Sequence, residues 1–285
     1  MGKSLDTQAT GLDVGLGFVK WLTGAENLHY GLWDGIEVSA ANLGAAQAAY
    51  TTRLFALLPE GPLRILDVGG GAGETARKLA ALGHEVEIVV PSSLLADHCR
   101  ANAPGAKIHL ARFEDSAPQG PFDVCLFSES FQYIPLDTAL GKARDLLRPG
   151  GTILIADCFR SPDFRGGGKI RIVGGGHPVR KFRATVAELG LEVLHDEDIT
   201  ASVAPSIDLE AGLFRVFGHA VTRVDEELAA KRPAARWTLV TLLRTLLGER
   251  RSRRILGRLD GEGRTSAAFL ANNRYLMVKL RVPTA

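Results

Sequence analysis

The sequence predicts an α/β protein built on a doubly wound, largely parallel sheet. Three observations predict it. Short apolar runs bounded by turn residues alternate with helix-like segments between Leu63 and Asp198. One of these runs, Ile65-Leu66-Asp67-Val68, passes straight into a glycine-rich turn and then a helix-like segment. A strictly alternating stretch over residues 273–282 adds a further strand.

Taken in order, residues 63–68, 85–90, 107–111, 122–127 and 152–158 read as buried strands, being short and apolar between turn residues. Residues 72–82, 92–102 and 136–147 read as the intervening helices, which requires helices on both faces of a parallel sheet. The third helix stops at Arg148-Pro149-Gly150-Gly151, where proline cannot continue it and glycine permits a turn. A helix over 179–189 and a strand over 191–198 continue the pattern. In the final run Leu276, Val278, Leu280 and Val282 share one face, and Tyr275, Met277, Lys279 and Arg281 the other. Such unequal faces suit a strand near a sheet edge.

Two regions fall outside this core. Residues 1–60 read as a helical cap, with Ala45, Ala48, Ala49, Leu54, Leu57 and Leu58 at helical spacing. Residues 199–272 form an insert too long for a simple connection. Within it, Leu239, Leu242, Leu243 and Leu246 mark an amphipathic helix, followed by Arg250, Arg251, Arg253, Arg254 and Arg258. The division is therefore cap 1–60, core 61–198, lid insert 199–272 and final core strand 273–285. Glycine triplets at 166–168 and 174–176 bracket a loop.

At 285 residues, 46% hydrophobic and 23% charged, the chain is long enough to bury a core without disulfides or metal, and no metal site is expected. Collagen-like, disordered and disulfide-scaffold classes are excluded. The net charge of +2 hides an asymmetry. From Lys231 onward 13 Lys and Arg face 3 Asp and Glu, giving +10, while the remainder carries −8. A stretch this basic suits a solvated helix face, an anionic small substrate or peripheral membrane contact. Cys99, Cys125 and Cys158 show no C-x-x-C spacing and read as buried reduced thiols. Residues 1–10 lack the apolar centre of a signal peptide, and no apolar run reaches the roughly 20 residues that span a bilayer. A cytoplasmic location is expected; the oligomeric state is open.

The chemistry centres on Asp67-Val68-Gly69-Gly70-Gly71-Ala72-Gly73-Glu74-Thr75. Glycines at 69, 71 and 73 let the backbone turn tightly and lie against a ligand without Cβ obstruction. The helix that follows offers free N–H groups. A nicotinamide dinucleotide site would prefer G-x-G-x-x-G, but Glu74 stands at the third glycine position. The spacing fits a nucleoside ligand without phosphates.

With this loop, Phe122-Asp123-Val124 and Leu147-Arg148-Pro149-Gly150-Gly151, the chain resembles the class I S-adenosylmethionine-dependent methyltransferases over roughly residues 25–200 and the last strand. The resemblance implies a Rossmann-like seven-stranded sheet with its last strand antiparallel. It also implies S-adenosyl-L-methionine as cofactor, with Gly69, Gly70, Gly71 and Gly73 at its methionine and ribose portions. Asp67, Val90, Ser92, Phe113, Glu114 and Ser128 are the further cofactor candidates. His29-Tyr30-Gly31-Leu32-Trp33-Asp34-Gly35 and the order Gln47, Tyr50, Thr51 are similar to the branch of cyclopropane fatty-acid synthases, tocopherol and sterol C-methyltransferases and phospholipid N-methyltransferases. Tyr30 is accordingly a cofactor candidate. The alternative role for His29, Tyr30 and Trp33 is a purely structural aromatic cluster.

One departure stands out. The family usually ends its second strand with a carboxylate for the ribose hydroxyls; this chain reads Val89-Val90-Pro91-Ser92-Ser93. Losing a charged acceptor costs on the order of 1.5–3 kcal/mol unless Ser92 substitutes. After the fourth strand, Ser128-Glu129-Ser130-Phe131-Gln132-Tyr133 lacks the Asn/Asp-Pro-Pro-aromatic motif of base methyltransferases, so no nucleic-acid substrate is expected. Methyl transfer is an in-line displacement whose leaving group needs no acid, but a hydroxyl acceptor or a carbocation needs a proton acceptor. Glu129, Tyr133, His29 and His177 are the candidates. The reading is a methyltransferase for a small lipophilic or amphiphilic acceptor. A degenerate cofactor-binding fold with a structural or regulatory role is the alternative, and a nicotinamide oxidoreductase is disfavoured by Glu74.

Overall fold

A computed structural model describes residues 7–164, 174–248 and 264–284. Seven strands form one sheet: β1 (Arg64–Val68), β2 (Glu85–Val90), β3 (Lys107–Leu110), β4 (Phe122–Ser128), β5 (Leu147–Arg160), β6 (Glu192–Asp198) and β7 (Asn273–Arg281). Their order is β3-β2-β1-β4-β5-β7-β6. The first five are parallel, and β7 runs antiparallel to β5 and β6. This is the Rossmann-like architecture with an antiparallel last strand that the sequence predicts.

Apolar alternation builds the two faces. On one, Ile65, Val124 and Leu126 pack under α2 (Leu43–Phe55), α3 (Glu74–Ala81) and α4 (Ser93–Asn102). On the other, Leu66, Cys125 and Phe127 pack under α5 (Leu136–Leu146) and α6 (Val179–Glu188). Cys99, Cys125 and Cys158 are buried and reduced, as expected. The chain reverses its winding between β1 and β4, and there the carboxyl ends of the parallel strands leave a cleft.

Three expectations need correction. β7 lies near the sheet edge as expected, between β5 and the outer strand β6, but its two faces are equally covered. Tyr275 and Met277 are therefore as buried as Leu276 and Val278, because helices of the insert cover their face. The first 60 residues are not helical throughout, for an irregular stretch separates α1 (Thr7–Thr23) from α2 and crosses the cleft. Finally, of the leucines that mark the amphipathic helix of the insert, the two whose side chains are described do not face the core. Within α7 (Thr200–Val203), α8 (Pro205–Lys231), α9 (Pro233–Leu247) and α10 (Ser266–Asn272), the core-facing residues are Val203, Ile207, Ala211 and Phe269. Leu239 and Leu242 on α9 are exposed. The side chains of Leu243 and Leu246, the arginines at 250, 251, 253, 254 and 258, and the 166–168 glycines lie outside the described residues.

Candidate active site

The cleft encloses about 670 Å³ between the ends of β1, β2 and β4 and the 26–29 segment. Its floor is the glycine turn. Gly69 leaves β1 with φ +74°, and its N–H bonds to Val89 O at 2.8 Å. A Cβ on Gly69 would come within 2.3 Å of Ser130 Cβ, so only glycine fits between the two strand ends. Gly73, at φ +84°, is also close-packed, since a Cβ there would come within 2.9 Å of Cys99 Cα on α4. Asn102 Nδ2 and Cys99 Sγ hold the Ala72 and Gly71 carbonyls. Gly69, Gly70 and Gly71 line the cleft, whereas Gly73 sits behind it as the turn's anchor.

Asp67 stands at the centre of this floor. It is buried, and its Oδ2 has no hydrogen-bond partner. Burial without a counter-charge raises its carboxyl to about 7. An orphaned carboxylate oxygen beside a glycine cradle awaits a donor, and a cationic amine is the donor that best relieves both defects. Glu74 is different: it lines the cleft but is committed to Arg77 at 2.5 Å, which holds its carboxyl below the usual range.

The adjoining wall carries Val90, Ser92, Phe113 and Glu114. Phe113 is buried edge-on against Phe127, with ring centres 5.7 Å apart, and presents a rigid apolar side. Ser92 caps α4 by accepting from Leu95 N at 3.4 Å. No carboxylate stands at the end of β2; Glu87, three residues earlier, is buried among Arg64, Lys107 and His109.

The far wall is assembled from distant segments. Glu129 ends β4 in the left-handed region, at φ +57°, unusual for a side chain of its size. Its Oε1 accepts from Tyr30 N at 2.7 Å and from the Tyr275 hydroxyl at 2.9 Å. Burial, then the charges of Asp157 and Glu210, push its carboxyl up to about 8, against the two donors that pull it down. Ser128 lines the cleft beside it and meets the Tyr50 hydroxyl at 3.2 Å. Tyr133 lines the mouth with its ring 74% exposed.

His29 also lines the cleft but is stacked on Tyr50, with ring centres 4.4 Å apart. Its Nδ1 donates to Tyr30 O at 2.9 Å, and burial lowers its pKa to about 4. It is a neutral, clamped ring and a weak base. Tyr30 and Trp33 are outside the cleft lining. Tyr30 acts through its backbone, and Trp33 donates to Ser206 Oγ at 2.8 Å, pinning the segment under α8. His177 is placed elsewhere: its Nε2 donates toward the carbonyls of Phe131 and Ile134, at 3.2 and 2.9 Å, and its ring lies edge-on to Phe131.

Sequence reading passed over Tyr275, Glu26 and Asp157. Tyr275 sits on the sparsely apolar side of its strand, where alternation signals solvent. Glu26 lines the cleft with Lys20, His98 and Asn102 gathered on its carboxylate. Asp157 is held by Gln132 N and Nε2 and by Cys158 N, and burial raises its carboxyl to about 7. No local motif announces either acid.

The glycine cradle, the orphaned Asp67 oxygen and the flat Phe113 wall fit a cofactor that joins an amino-acid end to an aromatic base. Comparisons with known proteins agree. A family model described as a methyltransferase domain matches residues 40–195. The ubiquinone biosynthesis O-methyltransferase of Cereibacter sphaeroides is 34% identical over 129 residues, 40% of this chain and 49% of that protein. The match thus spans about half the length of that curated relative. The cyclopropane synthase MmaA2 of Mycobacterium tuberculosis superposes with TM-score 0.69 at 15% identity, over 95% of both chains. Geranyl diphosphate C-methyltransferase of Streptomyces coelicolor A3(2), solved with Mg2+, geranyl diphosphate and S-adenosyl-L-homocysteine, superposes with TM-score 0.64 at 16% identity, over 99% of this chain and 100% of that one. Because the methyltransferase-domain model covers more than half of the sequence, the chain belongs to the class I S-adenosylmethionine-dependent methyltransferases.

Proposed function

We propose that this methyltransferase acts on a small lipophilic or amphiphilic acceptor, with Glu129 taking the proton that methylation releases. The observation that carries the reading is the clamped Glu129 carboxyl, pushed up to about 8 beside the cleft and within reach of the half-open mouth at Tyr133. A carboxyl poised near neutrality suits proton uptake from a hydroxyl or a carbocation. His29 is too weak a base for that role, and His177 is turned away. The apolar side chains of Leu28 and Ile134 in the cleft lining favour a hydrocarbon portion over a strongly hydrated one.

When bound, S-adenosylmethionine supplies an electrophilic methyl group on a sulfonium sulfur that leaves as a neutral thioether. Asp67 would accept from its ammonium, and the Gly69–Gly71 backbone would lie along its chain. Phe113 would flank the adenine, with Glu114 and Ser92 as polar partners. The 26–30 segment excludes water from above. The ubiquinone-precursor, cyclopropane and geranyl diphosphate enzymes named above support an acceptor with an isoprenoid or acyl portion.

Calorimetry with S-adenosylhomocysteine tests the cofactor half; no detectable binding overturns the reading in favour of a degenerate fold. Labelled methyl donor offered with prenylated phenols, isoprenoid diphosphates and unsaturated acyl lipids tests the acceptor half. Label in a hydrophilic amine alone would exclude both the lipophilic acceptor and the need for Glu129.

A further inference from the structure

Four oxygens form one row beneath the cleft: Ser128 Oγ, the Tyr50 hydroxyl, the Tyr275 hydroxyl and Glu129 Oε1, at successive separations of 3.2, 2.9 and 2.9 Å. Both ends of the row line the cleft, and both tyrosines between them are completely buried. Tyr50 comes from α2 and Tyr275 from β7, so distant parts of the chain converge to build it. Phenylalanine at both positions would fill the same space with no buried hydroxyl to satisfy. The hydroxyls therefore invite an account beyond packing.

We propose that the Ser128–Tyr50–Tyr275 hydroxyl chain is a polarised relay that governs the ionisation of Glu129, with Tyr275 as the residue that positions and charges the carboxylate directly. The inference rests on Glu129 being the proton acceptor only for its catalytic meaning; the relay itself is a property of the folded chain.

Hydrogen-bond polarity gives the argument. An ionised carboxylate only accepts, so Tyr275 must donate to Glu129. The Tyr275 oxygen then accepts from Tyr50, whose own oxygen accepts from Ser128. When Glu129 is protonated through Oε1 the row reverses: Glu129 donates to Tyr275, Tyr275 to Tyr50, and Tyr50 to the Ala156 carbonyl, which lies 3.4 Å from both phenols. Each hydroxyl keeps its own proton, Glu129 alone gains or loses one, and the direction of donation along the row changes. Oε1 of Glu129 is thus partnered in both the charged and the neutral state, which lets the carboxyl cycle without orphaning a hydroxyl of the row.

The charged groups facing this row are two acids and one arginine. Asp157 on β5 and Glu210 on α8 disfavour a second negative charge at Glu129. Arg264 is the nearby cation; one of its nitrogens donates to Glu210 at 2.7 Å while its buried Nε has no partner, and His29 stacks on Tyr50 as a neutral ring. The Tyr30 N–H and the relay are left to favour the ionised form.

The test is the titration of Glu129, followed by infrared absorption of its protonated carboxyl and assigned by loss of that band in Glu129→Gln. This readout needs no acceptor. Tyr275→Phe removes the direct donor and should move the midpoint up by about one pH unit, a tenfold change in the ionisation constant. Tyr50→Phe, acting through Tyr275, should produce a smaller shift in the same direction. The double variant should match Tyr275→Phe alone, since Tyr50 has no route to Glu129 once the second hydroxyl is gone. Additive shifts, no shift, or a midpoint that falls would each overturn the relay. Should Tyr275→Phe not fold, Tyr50→Phe and Ser128→Ala still test it, because both must shift the same band upward in that order. The acid limb of the methyl-transfer rate against pH should follow the same ranking. If the band shifts while Glu129→Gln transfers methyl at the wild-type rate, the proton-acceptor role fails and the relay stands.

Discussion

The two ends of the cleft each hold a carboxyl where a parallel strand ends, the buried Asp67 on β1 and the half-buried Glu129 immediately after β4, and they are built in opposite ways. Asp67 belongs to a contiguous motif. The glycine turn that follows it packs against its carboxylate, and one of its oxygens is left without a partner. Glu129 is held by Tyr30 and Tyr275, 99 and 146 residues away in sequence. The first end is an incomplete site that a cationic ligand completes. The second is complete already and is adjustable, because its partners are hydroxyls and an amide that tolerate either charge state. A cofactor common to many enzymes suits a local, rigid motif, while an acceptor particular to one enzyme is met by side chains recruited from across the fold.

The most damaging change to the cofactor end should be Gly69→Ala. The added Cβ would meet Ser130 Cβ at 2.3 Å at a backbone φ of +74°, so either the turn or the β4 end must move. S-adenosylhomocysteine affinity measured by calorimetry should fall by about 100-fold or more, since left-handed strain and steric displacement act together. Retained affinity would mean that the turn does not shape the site. At the other end, Glu129→Gln keeps shape and removes the proposed proton acceptor. Methyl transfer should fall by about 100- to 1000-fold, with a much smaller change in S-adenosylhomocysteine affinity. Equal losses in both would erase the distinction between the two ends.

The pH dependence separates them further. Below about 7 Asp67 is protonated and cannot accept from an ammonium as an anion, so S-adenosylhomocysteine should bind more tightly as pH rises through that value. Asp67→Asn should flatten the dependence and weaken binding by about 10- to 100-fold. Stability of the free protein should run the other way. Asp67, Asp157 and Glu129 all have folded values raised above their ordinary range, to about 7, about 7 and about 8. Each stabilises the fold fully only while protonated in both states, and that contribution is lost between the ordinary carboxylate range and the raised value. Thermal unfolding should therefore show stability declining from pH 5 to pH 8, by up to about 1.4 kcal/mol per pH unit for each group in its window. Saturating ligand should remove the Asp67 share. Rising stability across that range would show that these carboxyls are charged in the fold.

The same contrast explains what could be read in advance. β1, its glycine turn and α3 are contiguous in the chain, so the strand, the turn and Asp67 follow from local pattern. The Glu129 end depends on contacts that no spacing records. Tyr275 looked half exposed because its strand alternates, yet β7 is flanked on both sides and roofed by Ile207 and Phe269. His177 looked chemical because it stands in a glycine-rich stretch, but two carbonyls claim its ring. Leu239 and Leu242 show the reverse case: helical spacing was read correctly, and the face it turned inward was not.

The smallest effect concerns the gap between the ends, where β2 carries no ribose carboxylate. Ser92 Oγ is engaged as the cap of α4, accepting from Leu95 N, which leaves its proton to donate but a weak acceptor for two ribose hydroxyls. Aspartate is an equally good cap, so Ser92→Asp should leave α4 intact while adding a charged acceptor at the cleft wall. The difference between neutral and charged hydrogen bonds is about 1 kcal/mol, which corresponds to roughly fivefold tighter S-adenosylhomocysteine. The loss of the carboxylate is then a tolerated weakening rather than a change of ligand. If Ser92→Asp instead weakens binding, the wall near β2 must be supplying its acceptor from another side chain, and Glu114, across the same cleft, is the one to replace next.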